Sequence, residues 1–244
     1  MTAGHDLSGP GTPEAEWASG LPSGLERAGV DRFVPSSGRV VVVAPHPDDE
    51  VLGSGGLLFE LGRADVAVTI VAVTDGEASH PGRASELRAI RAAERATALA
   101  QLGFGPGDVV RLGHPDGAVE ARAVAADLDS IIGPDDVVIT PSSDDGHPDH
   151  DACGHAAALC ASRPLLWSYL VWTWHWSRPA EVPWDLADRL DLSPEALQAK
   201  RTATQAFRSQ LAGPVPILPD HVLERLLRPY EIYLRQPDPP EDSG

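Results

Sequence analysis

The segment from Arg39 to Leu58 constrains the fold more than any other stretch of the chain. Its first six residues contain four consecutive valines, a pattern typical of a strand buried on both faces of a sheet. Pro45 has no N–H to give to a sheet ladder, so the strand should end there, and an apolar helical pattern begins at Val51. A strand, a polar turn and a helix in this order form the usual ligand-binding edge of α/β proteins.

The polar turn holds an imidazole and three carboxylates within five residues: His46, Asp48, Asp49 and Glu50. Carboxylates are favourable in the first turn of a helix, which accounts for Asp49 or Glu50 but not for all three acids together with His46. So much negative charge in one turn is repulsive unless a cation is bound there. The turn therefore predicts a cation site.

The same alternation of strand and helix continues along the chain. Further strands are predicted at residues 65–73, 109–112, 136–140 and 165–172. Helices are predicted at residues 84–102 and 118–132 and in a segment that ends at Cys160. This alternation predicts an α/β fold with a mostly parallel sheet and helices on both faces. Because polar residues follow each strand, one edge of the sheet should gather His46, Asp48, Asp49, Asp75, Asp116, His147 and His150.

Composition narrows the functional classes. The 244 residues include 36 acidic and 19 basic side chains, a net charge of −17, which disfavours nucleic acids and anionic membranes as partners. No apolar run approaches the ~18 residues of a membrane span, and the N-terminus lacks a secretory signal pattern. Neither a dinucleotide fingerprint nor a phosphate loop follows the first strand. Cys153 and Cys160 are too far apart on one helix for a disulfide, so a cytoplasmic protein with reduced cysteines is expected.

Four regions are expected along the chain. Residues 1–30 are rich in Gly, Pro, Ser and Glu and favour a loose N-terminal arm. Residues 31–172 form the predicted α/β metal-binding core, and residues 173–235 form a cap that completes the same domain. Residues 236–244 are a polar, proline-containing tail.

Within the predicted cap, Trp172, Trp174 and Trp176 alternate at strand spacing, which would place them on one face. Such a face either binds a sugar ring or packs beneath the cap, and the sequence leaves both alternatives open. A helix is expected over residues 194–211, and an edge strand over residues 231–235.

Two short motifs have the spacing of metal ligands: His46-x-x-Asp49 and His147-x-x-His150. A catalytic zinc ion usually has three protein ligands and a water. His46, Asp49 and one of the two later histidines would supply this set. Asp48 and the remaining histidine would then stand beside the metal as a base and an acid. The two motifs together indicate a metallohydrolase.

Residues 45–50 and 146–150 resemble the LmbE-like, or PIG-L, family of zinc-dependent N-acetylglucosaminyl deacetylases. The resemblance continues at Arg91-x-x-Glu94, at Pro115-Asp116-Gly117 and at Lys200, and so covers roughly residues 39–235. It implies a Rossmann-like α/β domain with a small C-terminal cap.

The resemblance also implies a role for each matching residue. His46, Asp49 and His150 match the zinc ligands, and Asp48 matches the general base. His147 matches the histidine that stabilises the oxyanion and protonates the amine.

Three further positions match residues around that centre. Asp149 matches a carboxylate that orients and tunes His147, and Arg91 and Asp116 match positions that contact the sugar. Some members have a tyrosine at the position of Asp145, and the difference is expected to change the polarity presented to the substrate.

The sequence thus favours a zinc-dependent hydrolase that removes an N-acetyl group from an amino sugar or its conjugate. One alternative is an amidase that cleaves another amide, such as that of a thiol-sugar conjugate. Another is a non-catalytic metal- or sugar-binding protein, although Asp48 and His147 argue against it because neither is needed to hold the metal. Zn²⁺ is the expected metal, although a site of two histidines and an aspartate also accepts Fe²⁺ or another divalent ion. The sequence does not distinguish a monomer from a homo-oligomer.

Overall fold

One sheet organises this computed structural model, which describes residues 9–80, 82–162, 164–214 and 216–236. Its strands in the described residues are β1 Glu26–Ala28, β2 Val40–Ala44, β3 Val68–Thr74, β4 Val109–His114, β5 Val137–Pro141, β6 Leu165–Tyr169, β7 Ala187–Asp191 and β8 Tyr230–Arg235. Their order across the sheet is β1-β7-β8-β6-β5-β2-β3-β4. Every neighbouring pair is parallel except the two that involve β8.

The helices follow the strands as the sequence predicts. They are α1 Glu14–Gly20, α2 Asp49–Arg63, α3 Ala84–Gln101, α4 Ala121–Asp129, α5 Pro148–Ala158, α6 Thr173–Trp176, α7 Pro194–Thr204, α8 Arg208–Leu211 and α9 Asp220–Leu226. Val40 and Val42 of β2 pack in one apolar cluster with α2, whereas Val41 and Val43 pack in a second cluster with α4 and α5. The predicted α/β fold with helices on both faces of a mostly parallel sheet is confirmed.

The C-terminal part differs from the sequence prediction in several places. The strand predicted to reach Trp172 ends at Tyr169, and Trp174 and Trp176 lie on the short helix α6 instead of a strand face. The helix predicted over residues 194–211 is broken, because α7 ends at Thr204 and a separate turn, α8, follows. The polar segment before α7 contains the unpredicted strand β7.

Strand β8 is not at the edge of the sheet. It lies between β6 and β7 and runs antiparallel to both. Ile232 and Leu234 are buried, as is expected for an interior strand, whereas β1 and β4 form the edges.

The prediction of a loose N-terminal arm is wrong for residues 9–30. Trp17 is completely buried, and its indole N–H donates to the carbonyl of Trp174 at 2.8 Å. The Arg228 guanidinium lies over the Trp174 ring and pairs with Glu14. A buried tryptophan contributes enough apolar contact to hold a polar, glycine-rich segment in place. Residues 1–8 and 237–244 lie outside the described residues.

The two cysteines are free and buried, as expected. No helix within the described ranges is both long and apolar enough to cross a membrane.

Candidate metal centre and active site

The two metal motifs meet because β2 and β5 are adjacent parallel strands. Asp48 is the N-cap of α2 after β2, and His147 is the N-cap of α5 after β5. Parallel neighbours present their carboxyl ends at the same sheet edge, so residues about one hundred positions apart come into contact. The predicted convergence of the turns after β2 and β5 is therefore observed, whereas Asp75, which was expected to join them, pairs with Arg111 at 2.6 Å.

Asp49 stands between two imidazoles. Its Oδ2 atom is 3.1 Å from Nδ1 of His46 and 3.1 Å from Nε2 of His150. Donor atoms of a tetrahedral zinc site, each about 2.0–2.2 Å from the ion, lie roughly 3.3 Å from one another. The two distances from Asp49 are therefore close to the separation of donor atoms in a ligand set.

His150 provides the clearest sign that a cation belongs here. Its ring is fully buried, and Nε2 forms no hydrogen bond, since its approach to Asp49 lies outside hydrogen-bond geometry. An unpartnered buried polar atom is costly, and a metal ion would satisfy this one. Burial disfavours a charge on His150, but Asp49 and Asp145 outweigh it and raise its pKa to about 9. The pocket thus attracts positive charge.

The outer nitrogen of each imidazole also faces a carboxylate. Asp145 is 2.7 Å from Nδ1 of His150, and Asp149 is 3.1 Å from Nε2 of His46. A carboxylate on the outer nitrogen holds the proton there and leaves the inner nitrogen free to bind a metal. The donor set fits a divalent ion.

A different trio of ring nitrogens is also close. His46, His147 and His150 offer nitrogen atoms within 4.8 Å of one another. Nδ1 of His147, however, accepts a hydrogen bond from the backbone N–H of Asp149 at 3.2 Å. That contact leaves only Nε2 of His147 to face the site.

Asp145 has a different place from the one expected. It is completely buried, and besides His150 it accepts hydrogen bonds from the backbone N–H groups of Val171, Trp172 and Thr173 and from the Thr173 hydroxyl, at 2.7 to 3.0 Å. The expectation that Asp145 changes the polarity met by the substrate is wrong, because the carboxylate supports His150 from behind. Sequence reasoning missed this role.

Asp149 is also placed differently. Its carboxylate accepts the N–H groups of Gly117 at 2.8 Å and Val119 at 3.1 Å, and it faces His46. The prediction that this carboxylate orients His147 is wrong, because the backbone N–H of Asp149 makes that contact. Its negative charge still acts to raise the pKa of His147.

Asp48 lies beside the cluster in an unusual backbone conformation, with φ of 156°. Arg91 donates to Asp48 Oδ2 at 3.0 Å and also to the carbonyls of Pro47 and Gly76. Burial raises the pKa of Asp48 to about 7, while the charge of Arg91 acts in the opposite direction. A carboxylate with a pKa near neutrality is suited to general base catalysis.

Arg91 is therefore not on a solvated helix face. The residue is 2% exposed and borders the pocket, but its guanidinium already donates hydrogen bonds to protein acceptors. Arg95, one turn later, pairs with the buried Glu50 at 3.2 Å. Asp116 is 3.2 Å from Nε2 of His46 and accepts the N–H of Ala78.

A pocket of about 300 Å³ opens over these groups. One part is lined by the ionisable residues His46, Asp48, Asp49, Arg91, Asp116 and His147. Another part is lined by the apolar side chains Leu52, Trp172, Ile217 and Leu218. Trp172 thus borders the pocket, whereas Trp174 packs against Trp17.

Comparison with known proteins agrees with this arrangement. The model of the PIG-L family, described as GlcNAc-PI de-N-acetylase, matches residues 41–161, about half of the chain. The matched segment contains both metal motifs. The chain belongs to the PIG-L family.

A curated relative of this PIG-L protein is the probable N-acetyl-alpha-D-glucosaminyl L-malate deacetylase 2 of Bacillus subtilis (strain 168). The two are 28% identical over 194 residues, which cover 70% of this chain and 86% of the relative.

Solved structures share the fold. A deacetylase of the teicoplanin biosynthesis pathway superposes with a TM-score of 0.65 at 21% identity, covering 83% of this chain and 100% of the other. The N,N'-diacetylchitobiose deacetylase of Pyrococcus horikoshii superposes with a TM-score of 0.59 at 24% identity, covering 76% and 73%. These likenesses confirm the α/β architecture predicted for this family member.

The ionisable residues that line the pocket lie within the segment that matches the PIG-L model. Three of the four large apolar residues that line the pocket lie outside that segment. Trp172 follows β6, and Ile217 and Leu218 lie between α8 and α9. The ionisable part of the pocket thus belongs to the matched segment, and the apolar part is built mostly from the rest of this chain.

Proposed function

We propose that this protein is a metal-dependent hydrolase that removes the N-acetyl group from an amino sugar or an amino-sugar conjugate. The observation that supports this most strongly is the convergence of two carboxylate-backed imidazoles, His46 and His150, on Asp49, beside Asp48 at the edge of an open pocket. The deacetylases among the relatives agree with this reaction class.

His46, Asp49 and His150 would hold the ion, with Zn²⁺ or Fe²⁺ as candidates. When bound, a divalent ion lowers the pKa of water towards ~7 and polarises a carbonyl group. Asp145 and Asp149 keep the outer nitrogens protonated, so that the inner nitrogens of His150 and His46 face the ion.

Asp48 is the proposed general base. Arg91 binds its Oδ2 atom, so Oδ1 is free to take a proton from the attacking water. A pKa of about 7 allows the same carboxyl group to accept that proton and then release it.

His147 is the proposed oxyanion donor. Burial, with the neighbouring charges of His150 and His46, lowers its pKa to about 3, so the ring is neutral at pH 7. Its Nδ1 accepts the N–H of Asp149, which places the remaining ring proton on Nε2. A neutral imidazole donates a hydrogen bond to an oxyanion through this N–H but has no second proton for the amine. Asp48 therefore returns the proton taken from water to the leaving amine, and the products are acetate and a free amino group.

The test compares metal content and acetate release in two variants. Asp48→Asn should retain the metal and lose activity by at least the ~100-fold typical of a general base. His150→Ala should lose both, because it removes a ligand. The exposed Asp144, next to Asp145, provides the control Asp144→Asn, which should retain both. Full acetate release by Asp48→Asn, or equal loss of metal in the two test variants, would contradict these roles.

A further inference from the structure

The charges around the pocket point to the kind of substrate that fits it. Three carboxylates border it, those of Asp48, Asp49 and Asp116. Among the described residues that line the pocket, Arg91 is the only arginine or lysine.

Arg91 does not offer its charge to a ligand. Its two terminal nitrogens donate to Asp48, Pro47 and Gly76 at 2.9 to 3.1 Å, and the side chain is 2% exposed. Apart from the proposed divalent ion, an anionic group on the substrate would find no free arginine or lysine among the described residues that line the pocket. Desolvating an unpaired charge is unfavourable.

Two further arginines, Arg88 and Arg111, also pair with carboxylates. Arg88 pairs with Glu77 at 2.5 Å, and Arg111 pairs with Asp75 at 2.6 Å. Glu77 and Asp75 follow β3, directly before the pocket residues Ala78 and Ser79. The carboxylates of this turn thus already hold the nearby arginines.

An apolar wall completes the pocket. Leu52 lies on α2, one turn after Asp49, so its side chain adjoins the reaction centre. Trp172 is tied to the same centre, because its backbone N–H donates to the carboxylate that holds His150. Its ring stacks on Trp176 at 5.0 Å, which fixes its orientation. Ile217 and Leu218 extend the wall from the connection between α8 and α9.

We infer that the substrate is an uncharged N-acyl amino-sugar derivative whose apolar substituent binds against Leu52, Trp172, Ile217 and Leu218. This inference rests on the proposed deacetylation. The inferred substrate differs from the one named for the Bacillus subtilis relative, a conjugate of L-malate, which is a dicarboxylic acid. The apolar group is either the aglycone or a longer acyl chain on the nitrogen, since both would be recognised by the same burial of apolar surface.

The test measures kcat/KM of the metal-loaded protein on four substrates: methyl, octyl and L-malyl glycosides of N-acetylglucosamine, and the N-butanoyl analogue of the methyl glycoside. Each methylene that becomes buried contributes about fourfold. The octyl glycoside or the N-butanoyl analogue should exceed the methyl glycoside by at least roughly tenfold, and the better of the two identifies where the apolar group lies. The L-malyl glycoside should be slower than the methyl glycoside.

A substitution in the apolar wall tests whether these side chains cause the preference for an apolar substituent. Ile217→Asp places a charge on a half-buried wall residue and should reduce the ratio of the preferred substrate to the methyl glycoside towards one. Leu159→Asp changes an exposed leucine that follows α5 and does not line the pocket, so it should leave that ratio unchanged.

Hydrolysis of the methyl glycoside with no preference for an apolar group, or with faster hydrolysis of the L-malyl glycoside, would overturn the inference and leave the proposed deacetylation standing. Absence of acyl release from all four substrates would overturn both. An unchanged ratio in Ile217→Asp would exclude the wall as the origin of any preference.

Discussion

Asp145 offers the sharpest test of how the metal centre is supported, because one isosteric change alters its hydrogen bonding. Oδ1 accepts from the N–H groups of Val171 and Thr173 and from the Thr173 hydroxyl. Oδ2 accepts from the N–H of Trp172 at 2.9 Å and faces Nδ1 of His150 at 2.7 Å. An asparagine can keep the Oδ1 contacts, but its NH₂ group then replaces Oδ2.

In Asp145→Asn the NH₂ group can only donate to Nδ1 of His150. The ring proton then moves to Nε2, the nitrogen that faces Asp49, and that nitrogen can no longer bind a metal. We expect metal affinity to fall about 10- to 100-fold, the usual effect of losing such a carboxylate. The N–H of Trp172 also loses its acceptor, which should lower the free energy of unfolding by about 1–3 kcal/mol.

The assay is competitive zinc titration against a chromophoric chelator, with denaturant unfolding of the metal-free protein in parallel. Asp144→Asn makes the same chemical change one residue earlier at an exposed position and serves as the control. Equal zinc affinity in the two variants would refute the proposed support of His150 by Asp145.

Two further predictions concern buried charge pairs. Arg91→Gln removes the charge that lowers the pKa of Asp48, so this pKa should rise above about 7. The acidic limb of the plot of kcat/KM against pH should then move to higher pH. A limb that does not move would contradict the pairing of Arg91 with Asp48. Lys200 pairs with Glu231 at 2.8 Å in the core, so Lys200→Met or Glu231→Gln should each lower the free energy of unfolding by about 3–5 kcal/mol. The double variant should cost less than the sum in denaturant unfolding, and strict additivity would show that the pair is not coupled.

The candidate metal site could be predicted from sequence because its signals are local. The valines of β2 predict a strand buried on both faces, and His46 and Asp49 follow it within five residues. The second motif follows another buried strand in the same way. Since parallel strands end at one edge, the convergence needs no knowledge of contacts between distant residues.

The support for that centre could not be predicted in the same way. Asp145 and Asp144 are neighbours of the same residue type, yet one is fully buried and the other is exposed. The difference arises from the chain at Val171 and Thr173, 26 and 28 residues later, whose N–H groups converge on one carboxylate. No periodicity in the sequence encodes that approach.

The C-terminal region was also harder to predict, for a related reason. The order of β8 between β6 and β7 depends on long-range pairing, and a short apolar strand does not indicate whether it has one partner or two. Likewise, a single tryptophan, Trp17, holds a segment whose composition resembles a loose arm.

Metal content tests the proposed metal site most directly, measured by mass spectrometry on protein purified without chelator and again after zinc is added back. We expect one divalent ion per chain in the unaltered protein and none retained by His150→Ala. A protein that binds no divalent ion even after zinc is added, or a His150→Ala variant that binds it equally well, would contradict the assignment of His46, Asp49 and His150 as the metal site.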